Sequence, residues 1–177
     1  MTRLRSALAV GGTLLVLTGC TGSADRGDVT PETPLSEAVD VASLEENRTP
    51  HLGDNSRVVA LVGATRPDAV GESTIELQTA ERPYGLVLHF SSVVDGVTAD
   101  VADSLLTDRA TLLLATIDNA DEARWTLPEG AGTAEGGVLT RAEADALVGA
   151  PVADAGATAE GLTELLNQLE DAGAKSG

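Results

Sequence analysis

Thr74-Ile75-Glu76-Leu77-Gln78-Thr79 alternates polar and apolar side chains, and after an interruption from Ala80 to Pro83 the same period resumes in Tyr84, Leu86, Leu88 and Phe90. A period of two on both sides of a turn predicts an antiparallel hairpin, because successive strand side chains point to opposite faces. Ile75, Leu77, Leu86, Leu88 and Phe90 then share one face and cover a core. Burying each such side chain contributes roughly 1.5 to 3 kcal/mol. Tyr84 has the parity of that face, and His89 falls on the opposite one.

Helical signals surround the hairpin. Upstream, Leu35, Val39 and Ala42 recur at i, i+4 and i+7 over residues 35–46, with Pro34 suited to a first helical position. Asp54-Asn55-Ser56 offers capping oxygens to a short helix from Arg57 to Val62 ending at Gly63, although Val58 to Val62 also suits a buried strand. Downstream, Thr107 to Ile117 reads as a helix capped by Thr107, with Asp108 near its positive end and Leu113, Leu114 and Ile117 on one side. A strand from Ala123 to Leu127 carries Trp125, and a Gly-rich loop from Glu129 to Gly137 leads to Val138-Leu139, which predicts a second hairpin. Thr140-Arg141-Ala142-Glu143 is a capping-box pattern opening a helix that stops near Gly149 and Pro151. In the last helix Leu162, Leu165, Leu166 and Leu169 form an apolar stripe, expected to pack on the sheet, with Gly173 as the stop. The sum is a single α+β domain over residues 35–173, a small antiparallel sheet packed against several helices.

The chain has 177 residues, with 28 acidic against 11 basic side chains and a formal charge of −17 at pH 7. An excess of this sign repels nucleic-acid phosphates and anionic headgroups, which excludes nucleic acid as a partner. One cysteine excludes an internal disulfide framework and a thiolate metal cluster.

That cysteine has a telling place. Arg3 and Arg5 precede an apolar run from Ala7 to Leu17, far short of the roughly 20 residues of a permanent membrane helix. The pattern is that of a secretory leader over residues 1–19. Leu17-Thr18-Gly19-Cys20 then resembles the lipobox of bacterial lipoproteins, in which small residues pass into an intramembrane peptidase and the cysteine sulfur carries a diacylglyceryl thioether. On this reading Leu17, Thr18 and Gly19 are the signal-peptidase recognition residues and Cys20 is the lipidated terminus. Each buried methylene contributes about 0.8 kcal/mol, so two or more acyl chains hold a protein stably on a bilayer. Loss of Arg3 and Arg5 leaves 9 basic against 28 acidic residues, a net charge of −19 outside the membrane. Residues 20–34, rich in Thr, Gly, Ser, Asp and Pro, cannot bury enough surface to offset chain entropy and read as a flexible tether.

Several motifs occur in a recognisable order: Arg48-Thr49-Pro50-His51-Leu52-Gly53-Asp54-Asn55-Ser56, Ile75-Glu76-Leu77-Gln78-Thr79, Pro83-Tyr84-Gly85-Leu86, Ile117-Asp118-Asn119-Ala120-Asp121-Glu122 and Thr140-Arg141. Over about residues 44–170 the chain resembles a domain of unknown function found in lipoproteins of Gram-positive bacteria. The resemblance implies an extracytoplasmic sensing or accessory role beside membrane metallopeptidase sensors and supplies no catalytic residues. The chain departs from that pattern at His51, where an aromatic is usual, and in the enlarged loop from Glu129 to Gly137. The abundance of Ala, Gly and Val with a single Lys is compatible with a high-GC actinobacterium.

No Gly-x-Ser-x-Gly turn is present for serine catalysis, and the only imidazoles are His51 and His89, too few for a zinc site once Cys20 is lipidated. Asp118, Asn119, Asp121 and Glu122 form the densest oxygen-rich segment and are the candidate surface or binding residues, although they lack the spacing of a calcium loop. A single Trp, Tyr and Phe disfavour a carbohydrate platform built on stacked rings. The expectation is therefore a membrane-anchored, non-catalytic lipoprotein that binds a protein or peptide in the envelope, without a cofactor. Its bilayer contact is made by the acyl chains on Cys20, and its partner is an envelope protein or membrane sensor. The alternatives are a carboxylate-based hydrolase around Asp118 to Glu122 and a small-ligand or Ca²⁺-binding module.

Overall fold

The computed structural model describes residues 29–129 and 136–176. Leu17, Thr18, Gly19 and Cys20, the leader and tether residues 20–28 lie outside the described residues. The elements follow as α1 (Leu35–Ala38), α2 (Val41–Asn47), α3 (Asn55–Thr65), β1 (Ser73–Gln78), β2 (Gly85–Phe90), α4 (Ala99–Thr116), β3 (Glu122–Thr126), β4 (Gly136–Thr140), α5 (Arg141–Val148), α6 (Val152–Ala155) and α7 (Ala159–Ser176). A short 3-10 turn, Pro67–Ala69, leads from α3 to β1.

The strands lie in the order β1-β2-β3-β4, and the domain is α+β as expected. The expected hairpin forms with Ile75 opposite Leu88 and Leu77 opposite Leu86. The second hairpin also forms, with Ala123 opposite Leu139. The sheet is nevertheless mixed, which corrects the expectation of a wholly antiparallel one: β2 and β3 run parallel, Leu88 beside Trp125. The cause is α4. A helix inserted between two strands carries the chain back to the starting end of the sheet, so the next strand runs in the same direction as the first.

α4 is the centre of the fold. It begins at Ala99 with Thr98 as its cap, whose side-chain oxygen accepts from Val101 N. The start expected at Thr107 is thus corrected by two turns, because Asp100, Asp103 and Asp108 interrupt the apolar periodicity there. Every residue from Arg109 to Thr116 is buried, as befits a helix surrounded on all sides. One side meets β3 and β4 and the others meet α2, α3, α5, α6 and α7. The stripe of α7 is fully buried, yet it packs on α1, α2, α4, α5 and α6 and not on the sheet, since α4 already occupies the sheet's covered face. α7 also continues past Gly173 to Ser176.

At the N-terminal side the helix expected over 35–46 is two helices broken at Val39-Asp40. The Asp40 side chain accepts from Ser43 N and starts α2, which turns Leu44 inward and leaves Ala42 exposed. Pro34 stands at the cap of α1, one position before the expected one. α3 is helical as the Asp54 cap predicts, running beyond Gly63 to Thr65, and the strand alternative is excluded. The capping box at α5 forms in full, with Glu143 N donating to Thr140 Oγ1 and Thr140 N donating to Glu143. α6 carried no recognised sequence signal.

Candidate functional site

The turn from Ile117 to Glu122 leaves the C-terminal end of α4 and enters β3, so its carbonyls and side chains cluster where a helix end carries partial negative charge. Arginines and amides from three other segments converge on it. Thr49 bridges Ile117 in parallel, with Thr49 N donating to Thr116 O and Asp118 N to Thr49 O, both at 3.0 Å. Arg48 donates to Asp118 Oδ1 at 3.0 Å, and Leu52 N donates to Asn119 Oδ1 at 2.6 Å. Arg82 grips both oxygens of Asp121, at 2.6 and 2.8 Å, while Tyr84 N donates to Oδ2 at 2.7 Å. The Arg82 guanidinium also lies 4.7 Å from the centre of the Tyr84 ring. From α5, half-buried Arg141 donates to the carbonyls of Ile117 and Ala120 at 2.8 and 2.7 Å. Burial lowers its pKa, against the pull of Asp145, Asp118 and Asp121.

Asp118, Asn119, Asp121 and Glu122, singled out as binding residues, are thus brought together as structural acceptors. Glu122 is buried and takes Arg124 Nε at 2.7 Å. Among the described residues no group of three or more His, Cys, Asp or Glu is placed to hold a metal ion. The motifs from Arg48, Pro83, Ile117 and Thr140 are far apart in the chain and meet at this one knot. Sequence reasoning missed their arginines, although a chain with so few basic residues marks each of them. Asp121→Ala removes the acceptor for Tyr84 N and Arg82, and the expected loss is about 2 kcal/mol of stability, measured by urea denaturation. Asp121→Asn keeps the acceptor for the amide and loses about half as much.

A second charged cluster gathers around buried Arg109, where α4 meets the end of α3. Arg109, 2% exposed, donates from Nε to Arg66 O at 3.0 Å and from its terminal nitrogen to Leu105 O at 2.9 Å. Arg66 ends α3 in the left-handed conformation, φ 54°, and pairs through its own guanidinium with Asp68 at 2.8 Å. Burial lowers the Arg109 pKa to about 10. Beside it, Asp108 is raised from 3.8 to about 6, chiefly by burial, with Glu170 adding and Arg109 opposing. Because α4 starts at Ala99, Asp108 sits mid-helix and lacks the helix-end field expected for it. A carboxyl raised in the folded state contributes stability that is complete below about pH 4 and is lost as pH rises through about 6. Asp108→Asn is therefore expected to raise stability by about 2 kcal/mol at pH 7.5 and to leave it unchanged at pH 4, read from thermal melts at both pH values.

The other face of the sheet is covered by no described element. Across it run Glu76, Val87, Arg124 and Val138, and beside that row Thr74, His89 and Thr126. His89 lies on this face as expected, its ring nitrogens 3.1 Å from Glu76 Oε2 and 3.0 Å from Thr126 Oγ1. His51 is exposed. At the sheet's end, a groove of about 640 Å³ separates β1 from α3, with Val59, Val62 and Pro67 on the helix side and Ser73 and Ile75 on the strand side. Each of the seven arginines among the described residues donates to a carboxylate or carbonyl of the chain itself. The surface around the groove is left with its carboxylates in excess.

No helix among the described residues is long and apolar enough to cross a membrane. No curated protein and no solved structure matches the chain. The family model that does match covers residues 44–136, from α2 to the first residue of β4, and includes every part of the knot except Arg141. Over that span, which is more than half of its length, the chain belongs to the DUF4825 family, a domain of unknown function.

Proposed function

We propose that this chain is a lipoprotein moored outside the cytoplasmic membrane through Cys20, and that its α+β domain is a non-catalytic module binding a protein or peptide of the envelope in a sensory or accessory role. The observation that carries the reading is the run of Arg3, Arg5, the short apolar stretch and Leu17-Thr18-Gly19-Cys20. Cleavage before Cys20 and acylation of its sulfur need that arrangement. Acyl chains then supply the bilayer affinity that an acidic surface lacks. Further support comes from the chemistry left available. The oxygen-rich segment that a carboxylate hydrolase or a Ca²⁺ module would use is engaged by arginines and backbone amides.

The test is metabolic labelling of the producing bacterium with an alkyne fatty acid. The expected result is label on the protein in the membrane fraction, absent from a Cys20→Ala form, and an amino-terminal peptide beginning at acylated Cys20. Unlabelled protein with an intact leader in the soluble fraction overturns the reading.

A further inference from the structure

β1 ends the sheet, so one of its backbone edges faces away from β2. Which residues present that edge is fixed by one hydrogen bond. Ser91 N donates to Glu72 O at 2.8 Å, so the pair Glu72 and Ser91 is hydrogen-bonded across the hairpin. In an antiparallel ladder bonded and non-bonded pairs alternate. Thr74, Glu76 and Gln78 therefore bond inward to β2, and Ser73, Ile75 and Leu77 turn their N–H and C=O groups outward. Beside this edge lies the groove against α3. Its wall includes Val59, an apolar side chain 52% exposed on the helix.

The two sides of the edge differ in chemistry. On the side facing α3, Val59, Val62 and Pro67 of one wall and Ile75 of the strand are apolar, and the charges of Arg66 and Asp68 in the same wall are paired with each other at 2.8 Å. On the open-face side the residues of the alternate parity include Glu72 and Glu76, with Glu81 following the strand. We propose that β1 and α3 form a docking groove for an extended, basic segment of a partner protein, which adds to the sheet as a fifth strand. Its backbone bonds to Ser73, Ile75 and Leu77, its alternate apolar side chains enter the groove beside Val59, and the intervening Lys or Arg side chains meet Glu72 and Glu76. Strand addition of this kind draws affinity from the main chain and specificity from alternate side chains.

Charge selects the occupant. A second copy paired edge to edge brings the carboxylates of β1 against their own kind, and like charges facing each other across a ladder are destabilising. An acidic segment meets the same repulsion. No arginine among the described residues lacks an internal partner with which to answer either. Glu76 is also held below the usual carboxylate range by hydrogen bonds from His89 and Gln78, so it stays ionised through the neutral range.

The inference rests on the binding role proposed above and assigns it a place. The experiment uses the full-length protein in detergent and a fluorescent, end-blocked heptapeptide, Lys-Val-Lys-Val-Lys-Val-Lys, followed by anisotropy. Its controls are the Glu-Val counterpart and a version N-methylated at the valines. Saturable binding of the first peptide alone is expected. Ser73→Pro removes an outward N–H without touching the β1–β2 ladder, and Val59→Lys fills the groove wall with a cation at an exposed helix position. Each should weaken binding by about tenfold or more with unchanged melting. Absence of binding, equal binding by the N-methylated peptide, or undiminished binding by both variants overturns the groove. Those outcomes leave the acyl label on Cys20 untouched, and loss of that label leaves the peptide result standing.

Discussion

Gly156→Ala should destabilise the protein by about 3 kcal/mol or more and lower its melting temperature by about 10 °C, the largest effect expected of any single methyl group here. Gly156 follows α6 and is buried against α4. A Cβ built on it runs into the carbonyl and Cα of Ala115, which are backbone atoms of the central helix and have no rotamer through which to yield. Gly156 has an ordinary helical conformation, φ −69°, so the requirement is for space and not for backbone freedom. Gly63→Ala is the contrasting substitution. Nothing lies within 4 Å of a Cβ there, and the position is inside α3. Alanine should stabilise that helix by about 0.5 to 1 kcal/mol. A thermal melt of the two variants beside the parent separates the cases by sign, and equal melting temperatures would refute the packing argument.

Arg141→Ala carries the second large effect, a loss of about 3 kcal/mol, seen as a lower denaturant midpoint at unchanged slope. The guanidinium donates to Ile117 O and Ala120 O and reaches Asp118 O at 3.3 Å, so one side chain ties together the carbonyls of the turn that carries the chain out of α4. Its own amide donates to Asp121 O at 2.8 Å, which fixes the start of α5 against the same turn. Truncation leaves these acceptors half-buried and removes a positive charge from a helix C-terminus. Arg141→Lys retains the charge but not the planar set of donors, and it should recover less than half of the loss. A variant that folds as tightly as the parent would show that water replaces the guanidinium without cost.

Local chemistry was legible in the sequence wherever it was decided by neighbours. The hairpin of Thr74 to Phe90, the Asp54 cap and the Thr140–Glu143 capping box each depend on residues within a turn or a ladder, and each formed. The direction of β3 is not written in its own residues, whose alternation is the same in either direction; it follows from α4, since a helix between two strands returns the chain parallel. The first two turns of α4 were missed because their small and acidic residues hide the period, while Thr98 and Asp100 supply an ordinary helix start. The knot was legible only in part. Its oxygens stood together in the chain, but their partners Arg48, Arg82 and Arg141 come from distant segments, and only tertiary packing unites them. The acidic segment that reads in sequence as a candidate binding surface is met in the fold by the chain's own arginines and amides. The groove between β1 and α3 has no local sequence signal at all.

The enclosure of α4 between the sheet and five helices has a dynamic consequence. The amides of residues 110–116 can meet solvent deuterium only when several elements part at once, so they should exchange most slowly, at rates set by global unfolding. β1, bonded along one side only, should exchange through smaller and more frequent openings. Protection measured residue by residue would thus trace a gradient from the middle of the molecule to its outermost strand.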